Sequence, residues 1–284
     1  ALDFGTYLII RKNNSNSLNF ASTNFDLRSS ISLDQKIQKI EDHWYNYPLG
    51  VIHQFLKKGH QPQGADFLFS GEIPNGAGLS SSASIETLTA FAVNDLFNFG
   101  ENKLEIVRLS QDAENQFVGV NCGIMDQFAV TMGRKNHAIF LNCATLDYEL
   151  VPLQMNGYKL IITNTNLKRG LTSSKYNERR NECEAAVEML NREVELENLS
   201  DIKYARFMDL QEVIDNETVL RRARHVISEN QRVLDAIDAL KTNDLNKFGR
   251  LMNQSHDSLR VDYEVTGKEL DTLVDEARKI PGVL

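Results

Sequence analysis

Apolar residues come in short strand-like runs along the opening residues, such as Tyr7-Leu8-Ile9-Ile10, and take up helical spacing as the chain proceeds. Residues 4–11 and 18–22 predict strands, and the polar Asn/Ser stretch at 13–17 between them is a hairpin signal. Over residues 42–58, Trp44, Tyr47, Val51, Phe55 and Leu56 recur at helical spacing, which predicts a helix with one apolar face that Pro48 bends or delays. Residues 65–73 predict a strand. Residues 81–98 are apolar nearly all round, the pattern of a central helix buried on most sides. Helices are predicted at 101–118 and 125–132, followed by strands at 137–142, 148–152 and 158–164, the last built on Leu160-Ile161-Ile162.

Beyond residue 165 the spacing becomes helical throughout, with Tyr176, Cys183, Val187, Leu190 and Val194 on one stripe and the habit repeated from Val219 to Leu240. The simplest organisation is α+β: a mixed-sheet domain over residues 1–165, then a helix-rich α/β domain over 166–284, with the boundary near 164–168. An apolar content of 42% and a charged content of 25% exclude a disordered or fibrous chain. No window approaches the roughly 18 consecutive apolar residues of a membrane span, so no membrane association is expected. The net charge of -8, without a Lys/Arg run, excludes a phosphate-backbone partner, so no nucleic acid is expected. Cys122, Cys143 and Cys183 form no Cys-x-x-Cys pair, which indicates neither a disulfide framework nor a zinc site and suits a reducing cytoplasm.

The densest chemical signal is Pro74-Asn75-Gly76-Ala77-Gly78-Leu79-Ser80-Ser81-Ser82-Ala83-Ser84, set between a predicted strand and the buried helix. Glycine admits the positive φ values that turn successive amides toward one point, and a helix start behind the loop adds free N–H groups and the positive end of its dipole. The loop suits phosphate, and its serine hydroxyls suit a Mg²⁺ ion held between phosphates, although no Walker lysine follows. The bland alternative is a Gly-rich turn whose serines only cap a helix. A second segment, Ala113-Glu114-Asn115 with Cys122-Gly123-Ile124-Met125-Asp126-Gln127-Phe128, places Asp126 at a predicted helix start and Glu114 within a predicted helix; for Asp126 the bland alternative is an N-cap, and for Glu114 a solvated helix-face charge.

Taken together, the Pro-x-Gly-x-Gly-Leu-Ser-Ser-Ser-Ala-Ser loop and the Cys-Gly-Ile-Met-Asp-Gln segment resemble those of the galactokinases, within the kinases for galactose, homoserine, mevalonate and phosphomevalonate (GHMP kinases). The resemblance runs the length of the chain, through Trp44-Tyr45-Asn46-Tyr47-Pro48 and Ser174-Lys175-Tyr176-Asn177-Glu178-Arg179 to Ser255-His256-Asp257-Ser258. It implies the two-domain GHMP fold with an active site between the domains, and ATP-dependent phosphorylation of galactose at its C1 hydroxyl. It implies Asp126 facing that hydroxyl, Gly123 and Tyr176 against the sugar, and ATP on Gly76, Gly78, Leu79, Ser80, Ser81, Ser82 and Ala83, with Trp44 and Tyr47 around the adenine. Ser82 and Glu114 would hold Mg²⁺. A cytoplasmic monomer is expected.

Two rivals follow from the same resemblance. One is a galactose- and ATP-binding sensor without catalysis, of the kind that engages a transcriptional repressor in yeasts; inactive sensors lack a Ser-Ala pair that stands here as Ser82-Ala83. The other is a kinase for a related sugar such as N-acetylgalactosamine. The family's opening Gly-Arg-x-Asn-x-x-Gly-Glu-His-x-Asp-Tyr motif and its closing Gly-rich motif have no counterpart in these residues, so the sequence is expected to belong to a longer chain.

Overall fold

The computed structural model describes residues 4–74, 78–166 and 173–284, the side chains of 173–176 excepted. By contacts the chain separates into two compact units, Ala1–Leu150 and Val151–Leu284, a division that falls ahead of the one expected from the change in pattern.

In the first unit the strands are β1 (Thr6–Lys12), β2 (Ser17–Ser22), β3 (Ser29–Ser32) and β4 (Ala65–Gly71), and the sheet order is β1-β4-β2-β3. The hairpin expected across residues 13–17 is absent: β4 lies between β1 and β2, antiparallel to the first and parallel to the second. Asp66 explains the insertion. It sits opposite Arg11 on one side and Asn19 on the other, and its carboxylate accepts from Arg11 Nε at 2.8 Å, Asn13 Nδ2 at 2.8 Å and Asn19 Nδ2 at 2.8 Å. These donors hold its pKa down, to about 2. The polar turn at 13–17 thus serves a neighbouring strand instead of closing a hairpin.

Side chains alternate across the sheet with period two. Leu18, Phe20, Ala65, Phe67 and Phe69 point into the core, where Phe20 stacks on Phe67 at 4.9 Å between centroids, and Asn19, Asp66 and Leu68 point out. Against the inner face pack α1 (Asn46–Lys57) and α2 (Ser81–Phe97), whose Leu49, Ile52, Phe55, Ala90 and Val93 are fully buried. Pro48 falls in the first turn of α1, where a backbone N–H would have no helical partner, so it delays the helix without breaking it. The helix predicted at 101–118 is two elements: α3 (Lys103–Asp112), capped by Asn102 through bonds to Leu104 N and Glu105 N, then a π-helical turn, Ala113–Val118. Next come α4 (Met125–Met132) and the strand pair β5 (His137–Leu141) with β6 (Tyr148–Pro152).

The strand expected at 158–164 is not formed. Among the described residues no strand pairs with it, and Leu160, Ile161 and Ile162 are exposed, because an apolar run becomes a strand only when a neighbour takes its backbone hydrogen bonds.

The second unit is helical among its described residues beyond β6: α5 (Ser173–Leu190), α6 (Tyr204–Leu210), α7 (Glu217–Lys241), α8 (Leu245–Ser258) and α9 (Lys268–Ala277), with a π-helical turn at Leu259–Tyr263. Its core gathers Ala186, Leu190, Phe207, Ala223 and Ile227. Beside that core lies a buried ionic knot. Arg222, 2% exposed, gives Nε to Glu182 at 2.8 Å and Nη2 to Glu264 at 2.6 Å, and Arg179 shares Glu182 while donating Nε to the Tyr263 carbonyl at 2.6 Å. The knot joins α5, α7 and the π-helical turn. Without Arg222, Glu182 would keep Arg179 and Glu264 would keep Arg221 at 3.0 Å, so the cost of losing it lies in the buried position it fills and the hydrogen bonds it donates. Arg222→Ala empties that fully buried position and removes its bonds to Glu182, Glu264 and the Asp262 carbonyl, and so lowers unfolding free energy by about 2 kcal/mol. Urea denaturation of parent and variant measures this; a loss within about 0.5 kcal/mol, as for a surface site, contradicts it.

Candidate active site

The Gly/Ser loop enters α2 through two residues in the left-handed region, Gly78 at φ 73° and Ser80 at φ 57°. For a serine that conformation is strained, and its effect is to aim the first amides of α2 out of the turn. The first helical bond of α2 runs from Ser84 N to Ser80 O, so the N–H groups of Ser81, Ser82 and Ala83 precede it. Ser80 makes no side-chain cap, so the loop serines are not the simple helix caps of the bland alternative. Ser84, one turn in, is held by Thr6 Oγ1 at 2.9 Å.

Two cavities open around this helix start, within the first unit. A smaller one of about 230 Å³ is lined by Trp44 and Tyr47, by Ser81 and Ser82, and by Phe25, Asn24 and Phe69. Trp44 is fixed there by stacking on Phe25 at 5.9 Å and by Nε1 donation to the Leu27 carbonyl at 3.1 Å. The larger cavity, about 480 Å³, brings Gly78, Leu79 and Ser80 together with Asp126. Thr6 and Ile73 line both.

Asp126 lies in the first turn of α4 and is not its cap, since Ile124 takes that place. Among the described residues it has no hydrogen-bond or ion-pair partner, so its carboxylate is free to meet a ligand. The remaining expected residues are not brought to these cavities. Ala83 is fully buried, leaving only its backbone N–H for the loop. Gly123 is exposed, and a Cβ built on it meets nothing within 4 Å, so no close approach in this structure requires glycine. Gly76 and the Tyr176 side chain lie outside the described residues.

Glu114, expected from the resemblance as a Mg²⁺ ligand, belongs to a buried polar cluster with Glu86 and Gln127, two residues that the sequence did not single out. Glu114, on the π-helical turn, is 6% exposed and is no solvated charge. Its Oε2 accepts from Gln127 Nε2 at 2.7 Å and from the Cys122 thiol at 3.4 Å. Gln127 Nε2 also reaches Glu86 Oε2, on α2, at 3.3 Å. Both Glu86 and Gln127 are 0% exposed. Burial, then the charge of Glu114, drives the Glu86 carboxyl far above its usual range, so that it stays protonated at neutral pH. The same two causes push the Cys122 thiol up to about 12 and keep it a donor. Burial and then Glu114 raise the Tyr47 hydroxyl as well, which puts the cluster within electrostatic reach of the smaller cavity. A charged residue inside the otherwise apolar pattern of 81–98 was the available signal for Glu86. Among the described residues no three His, Cys, Asp or Glu side chains are grouped to hold a metal ion by themselves.

The protonation of Glu86 has a measurable consequence. Its folded pKa lies above the unfolded value of about 4.5, so its contribution is fully present below that value and is lost as pH rises toward the folded pKa. Glu86→Gln, isosteric and always neutral, gains stability relative to the parent as pH rises from about 5 to 9. Thermal denaturation across that window checks it; a difference between the two proteins that does not change with pH contradicts it.

Comparison with known proteins gives the site its context. Residues 46–134 match the sequence model of the GHMP kinases N terminal domain. The galactokinase of Clostridium acetobutylicum is 52% identical over 100% of this chain and 74% of its own length, and that of Fusobacterium nucleatum is 49% identical with the same coverage. Among solved structures, Lactococcus lactis galactokinase complexed with galactose superimposes with a TM-score of 0.94 at 41% identity, covering 99% of this chain and 73% of that one. Methanococcus jannaschii mevalonate kinase, at TM-score 0.59 and 18% identity over 98% of this chain and 75% of its own, shares the fold. With half its residues identical to those of curated galactokinases from end to end, the chain belongs to the galactokinase family of the GHMP kinases.

Proposed function

We propose that the protein transfers the γ-phosphoryl group of ATP to the C1 hydroxyl of galactose, giving galactose 1-phosphate and ADP. The observation that carries this reading is the juxtaposition in the larger cavity of the Gly78-Leu79-Ser80 loop with Asp126, which has no partner among the described residues, beside a smaller aromatic cavity lined by Ser81 and Ser82. One supplies a place for phosphate, the other for a hydroxyl, and phosphoryl transfer needs little beyond their alignment.

In this reading the adenine lies between Trp44 and Tyr47, and the triphosphate runs toward the N–H groups of Ser81, Ser82 and Ala83, where the helix dipole favours its charge. Gly78 lets the backbone approach the phosphates at positive φ. Asp126 accepts a hydrogen bond from the sugar hydroxyl, orients its oxygen toward the γ-phosphorus and takes its proton as the new P–O bond forms. ADP leaves from the opposite side. Gly123 and Tyr176 contact the sugar.

Ser82 and Glu114 would hold a Mg²⁺ ion. The donor set fits: one hydroxyl and one buried carboxylate whose described partners are neutral donors match an ion that takes one or two carboxylates and completes its shell with phosphates and water. When bound, the ion neutralises charge on the transferring phosphoryl group. The substrates and the free thiols of Cys122, Cys143 and Cys183 suit a cytoplasmic enzyme. Among the described residues no helix is long and apolar enough to cross a membrane.

Asp126→Asn keeps the shape of the site and removes the proton acceptor, so kcat for galactose falls by about 10²–10⁴-fold while ATP affinity stays close to that of the parent. Steady-state ADP formation and ATP titration measure the two. A variant within a few-fold of the parent removes Asp126 from the mechanism.

A further inference from the structure

We propose that Gln127 is a positioning residue, whose amide locks α4, and with it Asp126, onto α2 and the π-helical turn. The inference rests on the kinase reading for its effect on turnover, but the lock itself is a property of the fold.

Gln127 occupies the junction of three elements that each carry a part of the site. Its Nε2 spans from Glu114 Oε2 on the π-helical turn, 2.7 Å away, to Glu86 Oε2 on α2, 3.3 Å away. Glu86 lies little more than one helical turn beyond Ser82, so the amide bond reaches the helix that carries the Gly/Ser loop. Asp126 precedes Gln127 directly. Successive residues of a helix point about 100° apart, and here that step sends Gln127 into the interior and Asp126 to the larger cavity. Rotation or translation of α4 therefore moves Asp126 only by breaking the amide's contacts.

The residue type matches the task. A primary amide carries two hydrogens and no charge, and so donates to two carboxyl oxygens at once without adding a third acid. The segment leading into α4 is held in the same region: Asn115 Oδ1 accepts from Cys122 N at 2.8 Å, and Asn115 Nδ2 and Gln111 Nε2 both donate to Cys122 O at 3.2 Å. That clasp fixes the backbone before α4. Gln127 alone ties the first turn of α4 to Glu86 and Glu114 by its side chain among the described residues.

The test is Gln127→Met, of similar length and without a donor, in the full-length protein. Hydrogen–deuterium exchange in peptides spanning residues 122–130 rises by more than about tenfold while exchange in α7 is unchanged, and kcat falls by about 10²-fold with KM for ATP little altered, the size of effect a misplacement near 1 Å produces. In an Asp126→Asn background the same change costs little further turnover, because the residue it places is already disabled. Gln127→Asn, which keeps the amide but shortens its reach, gives an intermediate result and serves if the methionine variant does not fold. Unchanged exchange in residues 122–130 overturns the proposal whether or not the parent is active. So does unchanged kcat in an active protein. A parent inactive with galactose whose exchange loosens in the variant overturns the kinase reading and leaves the lock standing.

Discussion

Two carboxyl groups placed side by side in a dry interior cannot both keep their charge, and Glu86 and Glu114 are placed in that way. The first unit accommodates them by holding Glu86 as a neutral acid and by surrounding Glu114 with an amide and a thiol that donate to it. Because the donors come from α4 and the segment before it, and the acids from α2 and the π-helical turn, these hydrogen bonds also tie together the helices that line the larger cavity, although Glu86 Oε1 and Gln127 Oε1 stay buried without a hydrogen-bond partner among the described residues. The π-helical form of residues 113–118 belongs to the same arrangement: it carries Glu114 at 6% exposure beside a helix whose regular continuation the pattern had suggested.

Much of the fold was legible from periodicity because local patterns and tertiary contacts agree there. The helices at 46–57, 81–97 and 125–132 and the strands at 137–141 and 148–152 follow their apolar spacing closely. The hairpin at 13–17 was misread because adjacency in sequence was taken for adjacency in the sheet, whereas Asp66, far along the chain, holds β4 between the two strands. Nothing local distinguishes those cases. The run at 158–164 failed for a related reason, since a strand is defined by a partner that periodicity does not see.

The site divides in the same manner. The Gly/Ser loop stood out in the sequence because positive φ, free amides and a helix start require unusual residues in a fixed order, whereas Asp126 taken alone read as a helix cap and gained its role only through resemblance. Trp44 and Tyr47 were legible only through resemblance, and the structure brings them to a cavity with Ser81 and Ser82. Gln127 sits inside the motif that carried the resemblance, yet its part could not be read there, because the two acids it bridges are separated from it in sequence and meet it only in the fold.

The central claim is that this architecture moves phosphate from ATP to one sugar hydroxyl. The most direct measurement is ADP formation by the full-length protein with Mg²⁺ and ATP, with galactose, glucose and N-acetylgalactosamine compared as acceptors and the product identified by phosphorus NMR. The account predicts ADP formation that depends on galactose and yields the 1-phosphate, with the other two sugars far slower. Galactose bound without turnover, or turnover led by another sugar, would contradict it.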